Sequence, residues 1–262
     1  NFYFFFLFKS IILFFIAKRW QLICNNSNFK LSLFNSFTQI NVGHLFSFFI
    51  PGPFAQDVTK FYFVAKLNKF NNKKKILVIS IFDRFVGVTS FLLLTILIIF
   101  YWFFHPENEL IFDKFINNFK TLRLSFFLIP LLIFFIFILI KKILKKYVFI
   151  KILNGLFFKV FCIALLSHMA NVIATIYLIS EISNLKFLQN AVVVSISLFG
   201  NFFPFTPSGL GITELIFQEI LHLFKNSKGF ELGIKLRIVS FYLILFLSIM
   251  TCVMYVFKLI KK

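Results

Sequence analysis

Long apolar blocks alternate with short clusters of lysine and arginine along this chain. Five blocks are long enough to cross a bilayer as helices, at about 2–17, 76–100, 124–140, 156–180 and 236–257, since a helical span takes roughly 20 residues. Two further blocks, about 33–67 and 187–224, are interrupted midway in the same manner. The first breaks at Phe49-Ile50-Pro51-Gly52-Pro53-Phe54-Ala55-Gln56-Asp57. The second breaks at Phe203-Pro204-Phe205-Thr206-Pro207-Ser208-Gly209-Leu210-Gly211-Ile212-Thr213-Glu214. Each passes from an apolar helix into Pro and Gly, then into an acidic residue that opens a second helical stretch. Irregular backbone persists at membrane depth only where protein or a water-filled cavity satisfies its polar groups. Paired interruptions in corresponding positions therefore point to a substrate site.

The charges orient these elements. Lys18, Arg19 and Lys30 follow the first span, and Lys60, Lys66, Lys69, Lys73, Lys74 and Lys75 precede the second. Lys141, Lys142, Lys145, Lys146 and Lys151 separate the third from the fourth, and Lys258, Lys261 and Lys262 end the chain. The 101–123 loop is balanced, with Glu107, Glu109 and Asp113 against Lys114, Lys120 and Arg123. Basic loops remain on the cytoplasmic side, so the lysine clusters and the C-terminus are expected inside and the 101–123 loop outside. Segment 33–67 must then enter and leave on the cytoplasmic face, bent at Pro51-Gly52-Pro53. Segment 187–224 must do the same from outside, bent near residues 204–211. The expected fold is an all-α polytopic membrane bundle with two re-entrant hairpins in inverted repeats. Repeat one covers about 2–103, a connecting helix about 124–140, and repeat two about 156–257, all within one domain. One stretch conflicts: 225–237 holds Lys225, Lys228, Lys235 and Arg237 against Glu231, yet this topology places it outside.

Composition agrees with the membrane assignment. The chain is 60% hydrophobic and its mean hydropathy is +0.93. No polar segment is long enough for a soluble domain. The net charge of +19 could serve nucleic acid, but the lysines fall between apolar runs, where they face an anionic leaflet. No nucleic-acid partner is expected. The 46 Phe residues accompany abundant Ile, Asn and Lys, the signature of an AT-rich coding background, and read as lipid-facing filler. Cys24, Cys162 and Cys252 are scattered without metal-ligand spacing. The chain opens at Asn1, and residues 2–8 resemble the tail of a helix, so a longer natural protein is expected at this end.

Charged residues inside apolar helices usually face a cavity or a partner. Asp83-Arg84 lies within the apolar run 76–103. Adjacent helical positions point about 100° apart, so each needs a partner elsewhere. Arg84 is expected near Asp57 or a substrate anion, and Arg237 near Glu214. A salt bridge that only locks the interrupted segments to the bundle is an equal reading. Gly209 and Gly211 precede the helical stretch 212–224, whose N-terminus could favour a phosphate; a tight turn is the plainer reading. Thr206 could instead cap a helix that starts at Pro207. His168, Asn171 and Thr175 form a polar stripe, read as interhelical hydrogen bonding. Gln39, Asn41, His44 and Asn201 are expected to satisfy backbone groups freed at the breaks.

These motifs, taken in order, resemble a known family. Arg19-Trp20, Pro51-Gly52 with Asp57 and Lys60, Asp83-Arg84 and the run Pro207-Ser208-Gly209-Leu210-Gly211-Ile212-Thr213-Glu214 look like the transmembrane region of lysylphosphatidylglycerol synthases, a flippase-like family. The resemblance covers nearly the whole chain. Family members typically carry Arg where this chain has Lys60, and often Glu where it has Asp83. Both changes keep charge, although Lys lacks the bidentate fork. The resemblance implies movement of polar-headed lipids between leaflets of a plasma (inner) membrane. Aminoacyl transfer in the two-domain synthases belongs to a separate soluble domain, and these 262 residues hold none.

The expected substrate is thus a membrane lipid with an anionic headgroup, held by Asp57, Lys60, Asp83, Arg84, Pro207, Gly209, Gly211, Glu214 and Arg237. No metal, cofactor or bound nucleotide is expected, because no P-loop, dinucleotide fingerprint or metal spacing is present. Two other readings stay open. One is a membrane-embedded transferase acting on lipid-linked substrates, with Glu107 and Glu109 as candidate ligands for a divalent cation. The other is an accessory subunit of envelope-lipid synthesis, for which no partner surface is legible.

Overall fold

The computed structural model describes residues 2–50, 54–67, 72–104, 150–202, 206–207, 209–224 and 226–260. The connecting helix expected at 124–140, the acidic pair Glu107 and Glu109, and the bend at Pro51-Gly52-Pro53 lie outside these residues. Every regular element among the described residues is helical. In order they are α1 (Phe2–Asn26), α2 (Leu33–Ser47), α3 (Phe54–Leu67), α4 (Lys73–Phe103), α5 (Ile150–Ser183), α6 (Phe187–Ser197), α7 (Ile212–Leu223) and α8 (Gly229–Ile260). A 3-10 segment, Leu198–Phe202, continues α6.

Three stretches, Lys73–Trp102, Gly155–Ser180 and Gly229–Met254, are long and apolar enough to cross a membrane. Their outward faces carry large apolar side chains. On α4 these are Leu77 and Ile81 near its start and Leu93, Ile96, Leu97 and Phe100 near its end, all exposed. Large apolar side chains exposed in such number belong against lipid. α1 is as long as a span but carries Lys9, Lys18 and Arg19.

Helix boundaries follow local chemistry. Asn28, Asn72 and Asn184 adopt left-handed backbone with φ of 65°, 57° and 51°. Asn tolerates that region because its short side chain bonds locally. All three sit at helix ends, after α1, before α4 and after α5. Ser32 caps α2, its hydroxyl accepting from the Asn35 amide at 3.2 Å. α8 begins at Gly229, seven residues before the expected start. The basic stretch that conflicted with the topology is therefore partly helical. Glu231 and Lys235 pair across one of its turns at 2.5 Å, and Arg237 points inward.

The packing places α1 against α5 as the principal central contact. α2 and α3 pack on one another, and α2 also rests on α1 and α8. α6 rests on α5, α4 and α7, and α7 lies along α8. Two apolar cores result. One gathers Leu13, Ala17 and Trp20 of α1, Val64 of α3, Ile79 and Phe82 of α4, and Val160 and Ala164 of α5. The other gathers Phe5 of α1, Phe91 of α4, Val172 and Ile179 of α5, Val194 of α6, Phe217 of α7 and Leu236 of α8. On α1, α4 and α5 one core gives way to the other between residues 5 and 13, 86 and 91, and 164 and 172. Lys9, Gly87, Ser167, His168 and Asn171 occupy this junction.

Candidate functional site

A cavity of about 530 Å³ opens at that junction. Its charged lining comes from five helices: Lys9 and Arg19 (α1), Asp57 and Lys60 (α3), Asp83 and Arg84 (α4), Glu214 (α7) and Arg237 (α8). Residues far apart in sequence thus share one polar chamber.

Asp83 is the most buried of these charges, with no exposed surface. Its Oδ1 accepts from Arg19 Nε at 2.7 Å and its Oδ2 from Lys60 Nζ at 2.7 Å. Both cations are buried as well. A carboxylate so placed in an apolar bundle is tolerable only when paired and hydrogen-bonded. Gly87, one turn along α4, makes room: a Cβ there would approach Arg19 Nη1 to 3.4 Å. Lys60 also lies 5.3 Å from the centre of the Trp20 ring, within cation–π range. Trp20 is held in turn by Gln39, whose Oε1 accepts the indole N–H at 3.0 Å.

Arg84 points away from this cluster, as adjacent helical positions must. Its Nη2 meets Asp57 Oδ2 at 2.5 Å, and the pair keeps about a quarter of its side-chain surface exposed (29% and 25%). Beside it, the Gln56 amide contacts His44 Nδ1 at 3.0 Å. The second half supplies one more pair, Arg237 Nε on Glu214 Oε1. The sequence expectation of Arg84 near Asp57 and Arg237 near Glu214 matches these contacts.

The turn before α7 shows why its glycines are there. Gly209 and Gly211 have φ of 73° and 86°, where L side chains are strained. A Cβ on Gly209 would collide with the Gly200 carbonyl, and one on Gly200 with Thr213. The 3-10 segment and the start of α7 therefore touch backbone to backbone. α7 starts at Ile212 and not at Pro207, so Thr206 is no helix cap; the positive-φ glycines delay the helix. Its first turn is closed by Glu214, whose Oε2 accepts the Gly211 amide at 2.7 Å. The helix N-terminus that the sequence offered to an anion is thus met by the chain's own carboxylate. Pro207, Gly209 and Gly211 shape this turn and are not among the residues lining the chamber.

Two contacts had no counterpart in the sequence reading. Arg19 counted there as a cytoplasmic flanking charge, yet it is buried on Asp83. Trp20, Leu22, Ile23 and Cys24, apolar residues beyond Arg19, were the available signal that α1 continues past residue 17. Lys9 donates to Asn171 Oδ1 at 2.7 Å across the α1–α5 contact. His168 Nε2 donates to the Gly87 carbonyl at 3.0 Å, so two members of the polar stripe on α5 do bond between helices. Thr175 instead bonds the Asn171 carbonyl of its own helix at 2.8 Å. Among the described residues, Gln39 and His44 meet the side chains of Trp20 and Gln56, and Asn201 accepts weakly from Thr213 at 3.4 Å; the backbone at the two breaks lies mostly outside the described residues. The Asn41 carbonyl accepts from Ser248 of α8 at 3.0 Å, while its side-chain amide is buried and meets no hydrogen-bond partner among the described residues.

No curated protein and no solved structure matches this chain. One family model, described as the lysylphosphatidylglycerol synthase TM region, matches residues 2–248, and the chain belongs to this family of integral membrane proteins.

Proposed function

We propose that this protein moves polar-headed lipids between the leaflets of a plasma membrane. The single observation that carries this reading is the shared chamber, in which an Arg19–Lys60–Asp83 cluster, the Arg84–Asp57 pair and the Arg237–Glu214 pair face one cavity between two apolar cores. Such a chamber gives a headgroup a polar path, while acyl chains remain in the surrounding lipid. The cations attract the phosphate and the carboxylates hold those cations between cycles. Asp57, Lys60, Asp83, Arg84, Glu214 and Arg237 are the substrate-binding residues of this reading; Pro207, Gly209 and Gly211 act by fixing the position of Glu214.

The helix contacts support an inverted-repeat mechanism. α2–α3 and α6–α7 are read as the two re-entrant hairpins. The first rests on α8 and the second on α4, while α1 and α5 meet at the centre. Exchanging the two halves leaves these three contacts unchanged, as rocking of one repeat against the other requires, while α4 also packs on α5 without a comparable α1–α8 contact among the described residues. The positive-inside rule places the C-terminal lysines in the cytoplasm. A cysteine at Ser227, labelled by an impermeant reagent in intact cells, tests that orientation.

The decisive experiment uses vesicles containing the purified chain and a headgroup-labelled lipid. Arg84→Ala and Glu214→Gln are each expected to abolish headgroup movement. Undiminished movement in both variants defeats the mechanism.

A further inference from the structure

One cation in the chamber is paired differently from the rest. Arg19, Lys60, Arg84 and Arg237 each contact a carboxylate. Lys9 contacts an amide, Asn171 Oδ1, at 2.7 Å, and its Nζ stands 5.4 Å from the centre of the Phe5 ring. Neither partner carries a negative charge, so among the described residues the ammonium meets no counter-charge inside an apolar bundle, where unpaired charge is costly.

The chamber's charge count sharpens the point. Its lining holds five cations, Lys9, Arg19, Lys60, Arg84 and Arg237, against three carboxylates, Asp57, Asp83 and Glu214. One excess positive charge lies on the Arg19–Lys60–Asp83 cluster, whose members are all buried. The other lies on Lys9, which is partly buried. An anion reaching the Arg pairs must displace a carboxylate; at Lys9 it meets no such competitor. Neutral hydrogen-bonding groups surround the space, including Gln56, Asn201 and Ser240.

We propose that Lys9 and Asn171 form an anion subsite that receives the phosphate of a lipid headgroup. This inference rests on the lipid reading of the chamber given above. His168, bonded to the Gly87 carbonyl, holds α5 against α4 and so fixes Asn171 one turn away.

The test uses the full chain in phosphatidylcholine nanodiscs, titrated with short-chain phosphatidylglycerol and followed by native mass spectrometry. Lys9→Gln is expected to weaken phosphatidylglycerol binding by about tenfold, the usual weight of a charge-assisted hydrogen bond. Lys9→Arg is expected to retain it. Asn171→Asp supplies Lys9 with a carboxylate in place, so it is expected to weaken binding as strongly while leaving the melting temperature equal or higher. That variant separates lost recognition from lost folding. Unchanged binding in both Lys9→Gln and Asn171→Asp overturns the subsite, whatever lipid movement is seen. Full displacement of the lipid by equimolar inorganic phosphate assigns the subsite to a soluble anion and overturns the headgroup assignment. A wild-type chain that shows the Lys9-dependent preference but moves no lipid upholds the subsite and removes the translocation reading.

Discussion

The two halves of the chamber hold a carboxylate in place by different means. In α1–α4 the neighbourhood is built from charge. Three residues beyond Asp57 stands Lys60, and beside Arg84 stands Asp83, which binds Lys60 and Arg19 together. In α7–α8 the corresponding steps are apolar. Three residues beyond Glu214 stands Phe217, fully buried, and beside Arg237 stands Leu236, 9% exposed. Glu214 is instead positioned by backbone, through its bond to the Gly211 amide and the close approach of Gly233, where a Cβ would lie 3.0 Å from Glu214 Cα. Similar pairs can thus be oriented by a buried ion cluster or by glycine-mediated close packing. The first depends on mutual charge compensation, the second on the absence of side chains.

The largest expected effect comes from breaking the cluster. Asp83→Ala leaves Arg19 and Lys60 buried without a counter-charge and is expected to cost about 3–5 kcal/mol. Thermal unfolding in detergent would read this as a large fall in melting temperature. Converting the first half to the apolar style of the second, with Arg19→Leu, Lys60→Phe and Asp83→Leu together, is expected to restore most of that loss, because well-packed apolar groups often replace a buried ion cluster at little cost. A triple variant as unstable as Asp83→Ala alone shows that the charges do more than compensate one another.

A glycine comparison comes next. Gly209→Ala forces a side chain into a positive-φ position against the Gly200 carbonyl, and a loss of about 1–3 kcal/mol is expected. Gly87→Ala in the first half meets only the flexible Arg19 guanidinium, so its effect is expected below about 1 kcal/mol. Equal losses in unfolding experiments would erase the distinction between the halves.

A last comparison separates the two carboxylates. Glu214→Gln keeps an oxygen for the Gly211 amide but leaves Arg237 without its charge partner, a loss of about 1–3 kcal/mol. Asp57→Asn acts on a pair that is a quarter exposed, and a loss of about 1 kcal/mol or less is expected. A reversed order places the tighter constraint in the first half.

Much of the site was legible in the sequence because charge inside an apolar helix is rare and needs an explanation. Asp83, Arg84 and Arg237 stood out on that ground, and Asp57 and Glu214 stood out through their places after a Pro-Gly break. Arg19 did not, because a cation at the end of an apolar run looks like any flanking charge. Only the continuation of α1 to Asn26 carries it inside. Lys9 carried the same signal, a charge inside the apolar block 2–17, and was passed over; its partner Asn171 lies 162 residues away, and nothing local names that partner.

The sequence by itself determined that this is a helical membrane protein, where its helices are interrupted and which charges must find partners, since hydropathy, proline, glycine and charge act within a few residues of themselves. The tertiary structure decided who those partners are. It joined Arg19 and Lys60 on one carboxylate, closed the α7 terminus with Glu214 and left Lys9 facing an amide. Those outcomes depend on how α1, α3, α4, α5, α7 and α8 pack around one cavity, and packing among distant helices is set by the shapes of whole faces.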